Sequence, residues 1–239
     1  MSRPGSRYAS LCHASAALGL ACRGGFHPLP EDGVPPLADG RAAATLVLLG
    51  HTGEAQWPAF TGSREYRDGE ADPLDRWSQR AVGELAASVA AGALFPFSGP
   101  PWWPFQRWAQ RAEGLGRSPL GILIHPEFGL WHSYRGALLL AECLDVPEPL
   151  KAAAPCDACI AKPCLSCCPA NAITAAGFAA EACATELHRP GGQACLAGGC
   201  RARLACPIGA EHRYGDAQAA FHVRAFAQTR SDRTSRSGG

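Results

Sequence analysis

Nine of the twelve cysteines of this 239-residue chain fall between Cys156 and Cys206: Cys156, Cys159, Cys164, Cys167, Cys168, Cys183, Cys195, Cys200 and Cys206. Cys168 and Cys206 are each followed directly by proline. Cysteine at that density exceeds what packing uses; such thiols either bridge as disulfides or, as thiolates, hold metal. Soft thiolate sulfur suits iron–sulfur cores and zinc, and tight turns let several sulfurs face one centre. A proline after the last cysteine of a run turns the chain away from that centre.

Two runs can be laid on the spacing C-x2-C-x2-C-x3-C-P, which holds two four-iron clusters when used twice, each Cys-Pro sulfur serving the other run's cluster. The first is Cys156-x2-Cys159-x4-Cys164-x3-Cys168-Pro169, two residues longer in its middle gap. The second is looser: Cys183, then Cys195-x4-Cys200-x5-Cys206-Pro207. Setting Cys167 aside leaves eight sulfurs, as two [4Fe-4S] clusters need. The crossed assignment gives Cys156, Cys159, Cys164 and Cys206 to one cluster, and Cys168, Cys183, Cys195 and Cys200 to the other. Rival readings are a plant-type two-iron site on Cys159-x4-Cys164-x2-Cys167, a pair of four-cysteine zinc sites, and a disulfide framework. Cys12, Cys22 and Cys143 read as core or surface thiols.

The elements that must position these sulfurs are short, in keeping with 27 glycines and 20 prolines. A first helix is expected over Tyr8 to Ala21 within residues 1–24, stopped by Gly24-Gly25. Ala43 to Gly50 reads as a buried strand, after which Gly50-His51-Thr52-Gly53 turns where open α/β sheets place ligands. Asp72-Pro73 starts a helix whose stripe is Leu74, Trp77, Ala81, Leu85 and Val89. Ala93 to Phe97 is a short strand, and Pro100 to Trp108 an aromatic segment entering a helix. Its Trp102, Trp103, Phe105 and Trp108 could stack on a planar cofactor or fill a core. Leu120 to His125 and Trp131 to Cys143 are further strands. The 145–149 stretch reads as a linker, and 230–239 as a disordered tail.

The segment Ile122-Leu123-Ile124-His125-Pro126-Glu127-Phe128-Gly129-Leu130-Trp131-His132-Ser133-Tyr134-Arg135-Gly136 resembles the I-H-P-x-F-G-x-W-x-x-x-R-G signature of the cobalamin-processing CblC family. The Cys156–Cys206 stretch after an α/β module resembles epoxyqueuosine reductase, in which two four-iron clusters follow a cobalamin-binding domain. Both share a fold with flavin-using nitroreductases. The likeness is local, covering roughly residues 43–143 in ordering with one sharp motif. It implies an α+β protein: a nitroreductase/CblC-like α/β sandwich over 1–146 and a small bacterial dicluster ferredoxin-like domain over 151–215. It also implies a pocket for cobalamin, or for flavin, near His125, Trp131 and Arg135, fed with electrons by the clusters. His125 at a strand end could equally be a turn residue, and Arg135 could pair with Glu127 or Glu142.

The net charge of +1 includes no basic stripe, so nucleic acid is not an expected partner. No G-x-G-x-x-G or P-loop is present. No apolar run of about 18 residues appears, so no membrane span is expected. Arg3 and Arg7 precede an Ala/Leu-rich stretch ending at Cys22, but Cys12, His13 and Ser15 interrupt it, and an amphipathic helix fits better than an export signal. A cytoplasmic setting keeps thiols reduced. The expected function is single-electron transfer through two [4Fe-4S] clusters, with an electron-donor or acceptor protein as partner and a cobalamin-linked reductase as the enzymatic form. A plain ferredoxin-type carrier and a zinc-stabilised interaction protein are the alternatives; no catalytic residue is identified.

Overall fold

A computed structural model describes residues 6–151, 153–174 and 176–237, with side chains to residue 230. Arg3, one of the two arginines weighed in the export reading, lies outside them. In chain order the elements are α1 (Arg7–Ala17), β1 (Ala21–Phe26), β2 (Thr45–Thr52), α2 (Trp57–Thr61), α3 (Arg64–Arg67), α4 (Pro73–Ser88), β3 (Gly92–Leu94), α5 (Phe105–Glu113), β4 (Gly116–Arg117), β5 (Leu123–Ile124) and β6 (His132–Leu140). Then follow α6 (Pro155–Ala158), β7 (Ile173–Thr174), β8 (Gly177–Phe178), α7 (Ala180–Leu187), α8 (Gln193–Gly198), α9 (Arg201–Leu204) and α10 (Asp216–Ser237). The protein is α+β. No described helix is long and apolar enough to cross a membrane.

The chain divides into two units, one of residues 1–115 with 132–152, the other of residues 116–131 with 153–239. In the first, four strands form a sheet in the order β1-β2-β6-β3, every pairing antiparallel. The run Leu46-Val47-Leu48-Leu49 is fully buried, which suits a central strand covered on both faces. Trp77, Val82 and Leu85 of α4 and Trp108 of α5 are buried with it. At Gly50 the β2–β6 register shifts, and a Cβ there would stand 1.8 Å from the Ser133 carbonyl; only glycine lets the strands close. Because the sheet is antiparallel, the ligand-site argument drawn from parallel α/β sheets does not apply to the turn after β2. His51 lies within β2, buried, its Nδ1 3.1 Å from the Gly53 carbonyl.

Several expected elements are corrected. The first helix stops at Ala17; Gly19 at φ +77° turns the chain, and Ala21 to Phe26 pair with β2 as a strand. Pro73 opens α4 as expected, but Asp72 sits at φ +50° and its side chain caps nothing. Trp108 is core: its Nε1–H donates to the Asp32 carbonyl at 2.9 Å, and Trp103 stacks on it at 6.2 Å between ring centroids. The segment read as a disordered tail is helical as far as Ser237; residues 238 and 239 lie outside the described residues.

The second unit is built from short pieces. β4 pairs with β5 and β7 with β8 as two small antiparallel hairpins. α10 packs on α7 and α8, so this unit extends past the expected boundary at 215. It also takes in 116–131, which the sequence reading assigned to the N-terminal domain. The reason is burial: Ile124 and Leu130 form one apolar cluster with Cys206, joined by Leu120, Cys156 and Ile208.

Candidate metal centres

All twelve cysteines are unbridged. Eight of them line two cavities in the second unit. Cys156, Cys159, Cys164 and Cys206 face one of about 330 Å³, whose other walls include Pro119, Ile124, Pro155, Pro163 and Pro207. Cys168, Cys183, Cys195 and Cys200 face the other, of about 1040 Å³, walled by Ile173, Phe178, Leu187, Val223 and Phe226 among others. Both volumes include the open mouths. Cys167 is exposed and lines neither; a site using Cys159, Cys164 and Cys167 therefore lacks its third sulfur. Among the described residues no three Cys, His, Asp or Glu side chains converge closely enough to hold one metal ion.

Local structure explains how cysteines far apart in sequence come to line the same cavity. Cys156 sits in the single turn of α6 after Pro155, and Cys164 in a 3-10 turn opened by Pro163. Cys183 and Cys195 lie on α7 and α8, and Cys200 is the N-cap of α9. Cys195 and Leu187 are buried under Ala227 of α10, with Cys183, Val223 and Phe226 packed around them. Each set is thus seated on its own apolar cluster.

Backbone amides point at the sulfurs. Ala172 N–H donates to Cys168 Sγ at 3.4 Å. The amides of Arg203 and Ala202 reach Cys200, that of Ile208 reaches Cys206, and those of Cys164 and Leu165 reach Cys164. Such bonds stabilise anionic sulfur and tune a metal core. Without a cation, burial favours the protonated thiol at Cys156, Cys164, Cys183, Cys200 and Cys206. Burial first, and then Cys206, Cys164 and Cys159, raise the Cys156 thiol. Burial first, and then Cys200, Cys168 and Cys195, push Cys183 up to about 12. In both cases the acting sulfurs belong to the same set.

His125 takes the turn role that the sequence left open beside the pocket reading. His125 Nδ1 accepts the amides of Glu127 at 3.0 Å and Phe128 at 3.1 Å, which closes the turn after β5. Phe128 packs against the ring of His125, tilted at 4.5 Å, and edge-on against that of His212 at 4.9 Å. Gly129 and Gly209 bring two backbones together: a Cβ on Gly129 would lie 1.9 Å from the Ile208 carbonyl, and one on Gly209 2.4 Å from the Phe128 carbonyl carbon. The motif therefore lids the Cys206-Pro207-Ile208 turn. Trp131 is buried against Tyr214, 5.2 Å between ring centroids.

Arg135 belongs to the other unit. There its Nε–H donates to Ser78 Oγ at 2.9 Å, it pairs with Asp75, and it lies 5.2 Å over the Phe97 ring. The partners suggested by the sequence, Glu127 and Glu142, are not those observed. His125 and Trp131 lie in the second unit and Arg135 in the first.

Two residues escaped the sequence reading. The Arg203 guanidinium lies 4.6 Å from the Trp131 ring and 4.5 Å from the Tyr214 ring, and donates to the Leu130 carbonyl. It also lines the second cavity, as does His222 of α10. Arg203 lies between Cys200 and Cys206, which was its only visible signal; for His222 there was none.

No protein-family model matches the chain, and no curated protein matches it.

Proposed function

We propose that this chain is a dicluster iron–sulfur redox protein. The observation that carries the reading is the sorting of eight cysteines into two sets of four, each lining one cavity, with amides aimed at the sulfurs. Four thiolates per centre is the donor set of a [4Fe-4S] cluster. Such a cluster, when bound, takes up and releases single electrons.

The protein's own residues have three tasks in this reading. The sulfurs hold, with Cys206 of the later run completing the earlier set and Cys168 of the earlier run completing the later one. The walls exclude water: Ile124, Pro163 and Ile208 at the first cavity, and Ile173, Leu187, Val223 and Phe226 at the second. The donors on the backbone and Arg203 set the electrostatics, since positive potential and N–H donors near sulfur favour the more negative, reduced state.

The finer fold assignment, a nitroreductase/CblC-like sandwich beside a dicluster ferredoxin-like domain, rests on the sequence resemblance. So does the role of a cobalamin-linked or flavin-linked reductase drawing on a protein electron donor. The burial of His125 and Trp131 gives that role no support from those side chains. A plain electron carrier is the simpler form of the same function.

The test is spectroscopic. Protein purified without oxygen is expected to be brown and, after dithionite reduction, to show the paramagnetic signals of two interacting one-electron centres. A colourless protein that stays silent on reduction would overturn the reading. Titration with cobalamin and with flavin then divides reductase from carrier: a spectral shift with either supports the reductase, and none with both supports the carrier.

A further inference from the structure

Cys143 and His27 lie outside both cavities, in the first unit, and meet across 116 positions of sequence. The sheet brings them together. β1 and β6 flank β2 and each runs antiparallel to it, so both end where β2 begins. His27 directly follows β1, Cys143 comes shortly after β6, and Ala44 directly precedes β2. Cys143 Sγ stands 3.6 Å from His27 Nδ1 and 3.9 Å from Nε2. Both side chains are exposed. Their backbones are tied down on either side. Arg111 donates to the His27 carbonyl at 2.8 Å. Thr45 Oγ1 donates to the Glu142 carbonyl at 2.7 Å and accepts the Leu144 amide at 2.9 Å.

The His27 ring is fixed as well. Its Nδ1 lies 3.0 Å from the Ala44 carbonyl; a carbonyl only accepts, so Nδ1 carries the proton and Nε2 keeps its lone pair. A ring N–H held by a backbone carbonyl, with the other nitrogen open, is the support that metal-binding histidines use. One zinc ion bound to a thiolate and an imidazole sets sulfur and nitrogen about 3.5–3.8 Å apart, from its usual bond lengths. The 3.9 Å between Cys143 Sγ and His27 Nε2 needs only a small side-chain adjustment to match.

We propose that Cys143 and His27 form a surface site for a borderline-soft divalent cation of the zinc type. The thiol releases its proton to solvent on binding, and the sulfur and Nε2 donate to the ion. Water fills its other positions, which keeps the ion exchangeable. Glu142 is not counted as a ligand, because its carboxylate pairs with Arg7 at 3.5 Å. A thiolate with an imidazole favours zinc over the hard magnesium ion, which takes oxygen ligands.

The sequence isolates both ligands. Trypsin cutting after Arg135 and after Lys151 releases residues 136–151, with Cys143 and no other cysteine; cutting after Arg23 and after Arg41 releases residues 24–41, with His27 and no other histidine. The readout is therefore independent of what the eight cavity sulfurs hold. Full-length protein purified without oxygen is titrated with Zn(II). One portion is pulsed with iodoacetamide and another with diethylpyrocarbonate, and the two peptides are weighed. Zinc is expected to slow alkylation of Cys143 and carbethoxylation of His27 over the same concentration range, and EDTA to restore both; Mg(II) should slow neither. In His27→Gln, the same protection of Cys143 should need at least about tenfold more zinc. Unchanged labelling at every zinc concentration that leaves the protein in solution would overturn the proposal. So would equal protection by Mg(II), or protection of Cys143 that is unaltered in His27→Gln. Should that variant fail to fold, the unaltered chain still decides, since protection of Cys143 without protection of His27 refutes the pair.

Discussion

Cys206 is the residue whose placement carries most weight. It lies 38 positions beyond Cys168 in sequence, yet it lines the cavity of Cys156, Cys159 and Cys164. Cys206→Ser is therefore expected to lower the iron of a fully loaded protein by about half, with the missing iron coming from that set. Loss from the set of Cys183, Cys195 and Cys200 instead would contradict the map. Cys167→Ser, at an exposed thiol outside both cavities, should leave iron content unchanged by the same assay. Arg203 offers a subtler check. Replacing it with Met keeps bulk over the Trp131 and Tyr214 rings but removes a positive charge from the wall of the second cavity. The reduction potential measured for that site should fall by tens of millivolts, about 1 kcal/mol of charge interaction near a protein surface.

Between elements, the glycines of the 125–130 turn and the turn after Cys206 do what side chains cannot. Gly129→Ala forces a left-handed residue, at about 1–3 kcal/mol, and drives a methyl into the Ile208 carbonyl. The expected result is a lower melting temperature together with faster iron loss from the first site; a fall in neither would show that the turn is not its cover. In the first unit, Glu65 of α3 is buried and held by Arg80 of α4, Nε to Oε1 at 2.6 Å. The Arg80 hydrogen bonds hold its carboxyl at about 2, below its usual 4.5. A depressed carboxyl stabilises the fold above its unfolded value and loses that contribution as pH falls through its folded one. Glu65→Gln should cost about 1–3 kcal/mol near neutrality. The gap between variant and parent, followed by thermal melts, should close as pH drops from 4.5 towards 2. A gap that stays constant over that window would contradict the pairing.

Across the whole molecule, legibility followed the range of the interaction. The strand at Leu46–Leu49 and the helix opened by Pro73 were readable because periodicity and proline act locally. The grouping of sulfurs was readable because the two Cys-Pro endings mark a crossing that spacing alone would not suggest. The 116–131 segment was misplaced because its role depends on Cys206 and Ile208, some 80 residues later; no local signal carries that contact. The strand at Ala21–Phe26 was missed because Gly24-Gly25 read as the stop of a helix ending at Ala21, while pairing with β2 decided the matter. His125 could be read from sequence as a pocket residue or a turn residue, and its Nδ1 accepts two amides of its own turn.

The central claim, that eight sulfurs hold two four-iron clusters, is tested most directly by counting iron, acid-labile sulfide and zinc in protein purified without oxygen. About eight irons and eight sulfides per chain are expected. Two zinc ions per chain with no iron or sulfide, as paired four-cysteine zinc sites would give, would contradict it.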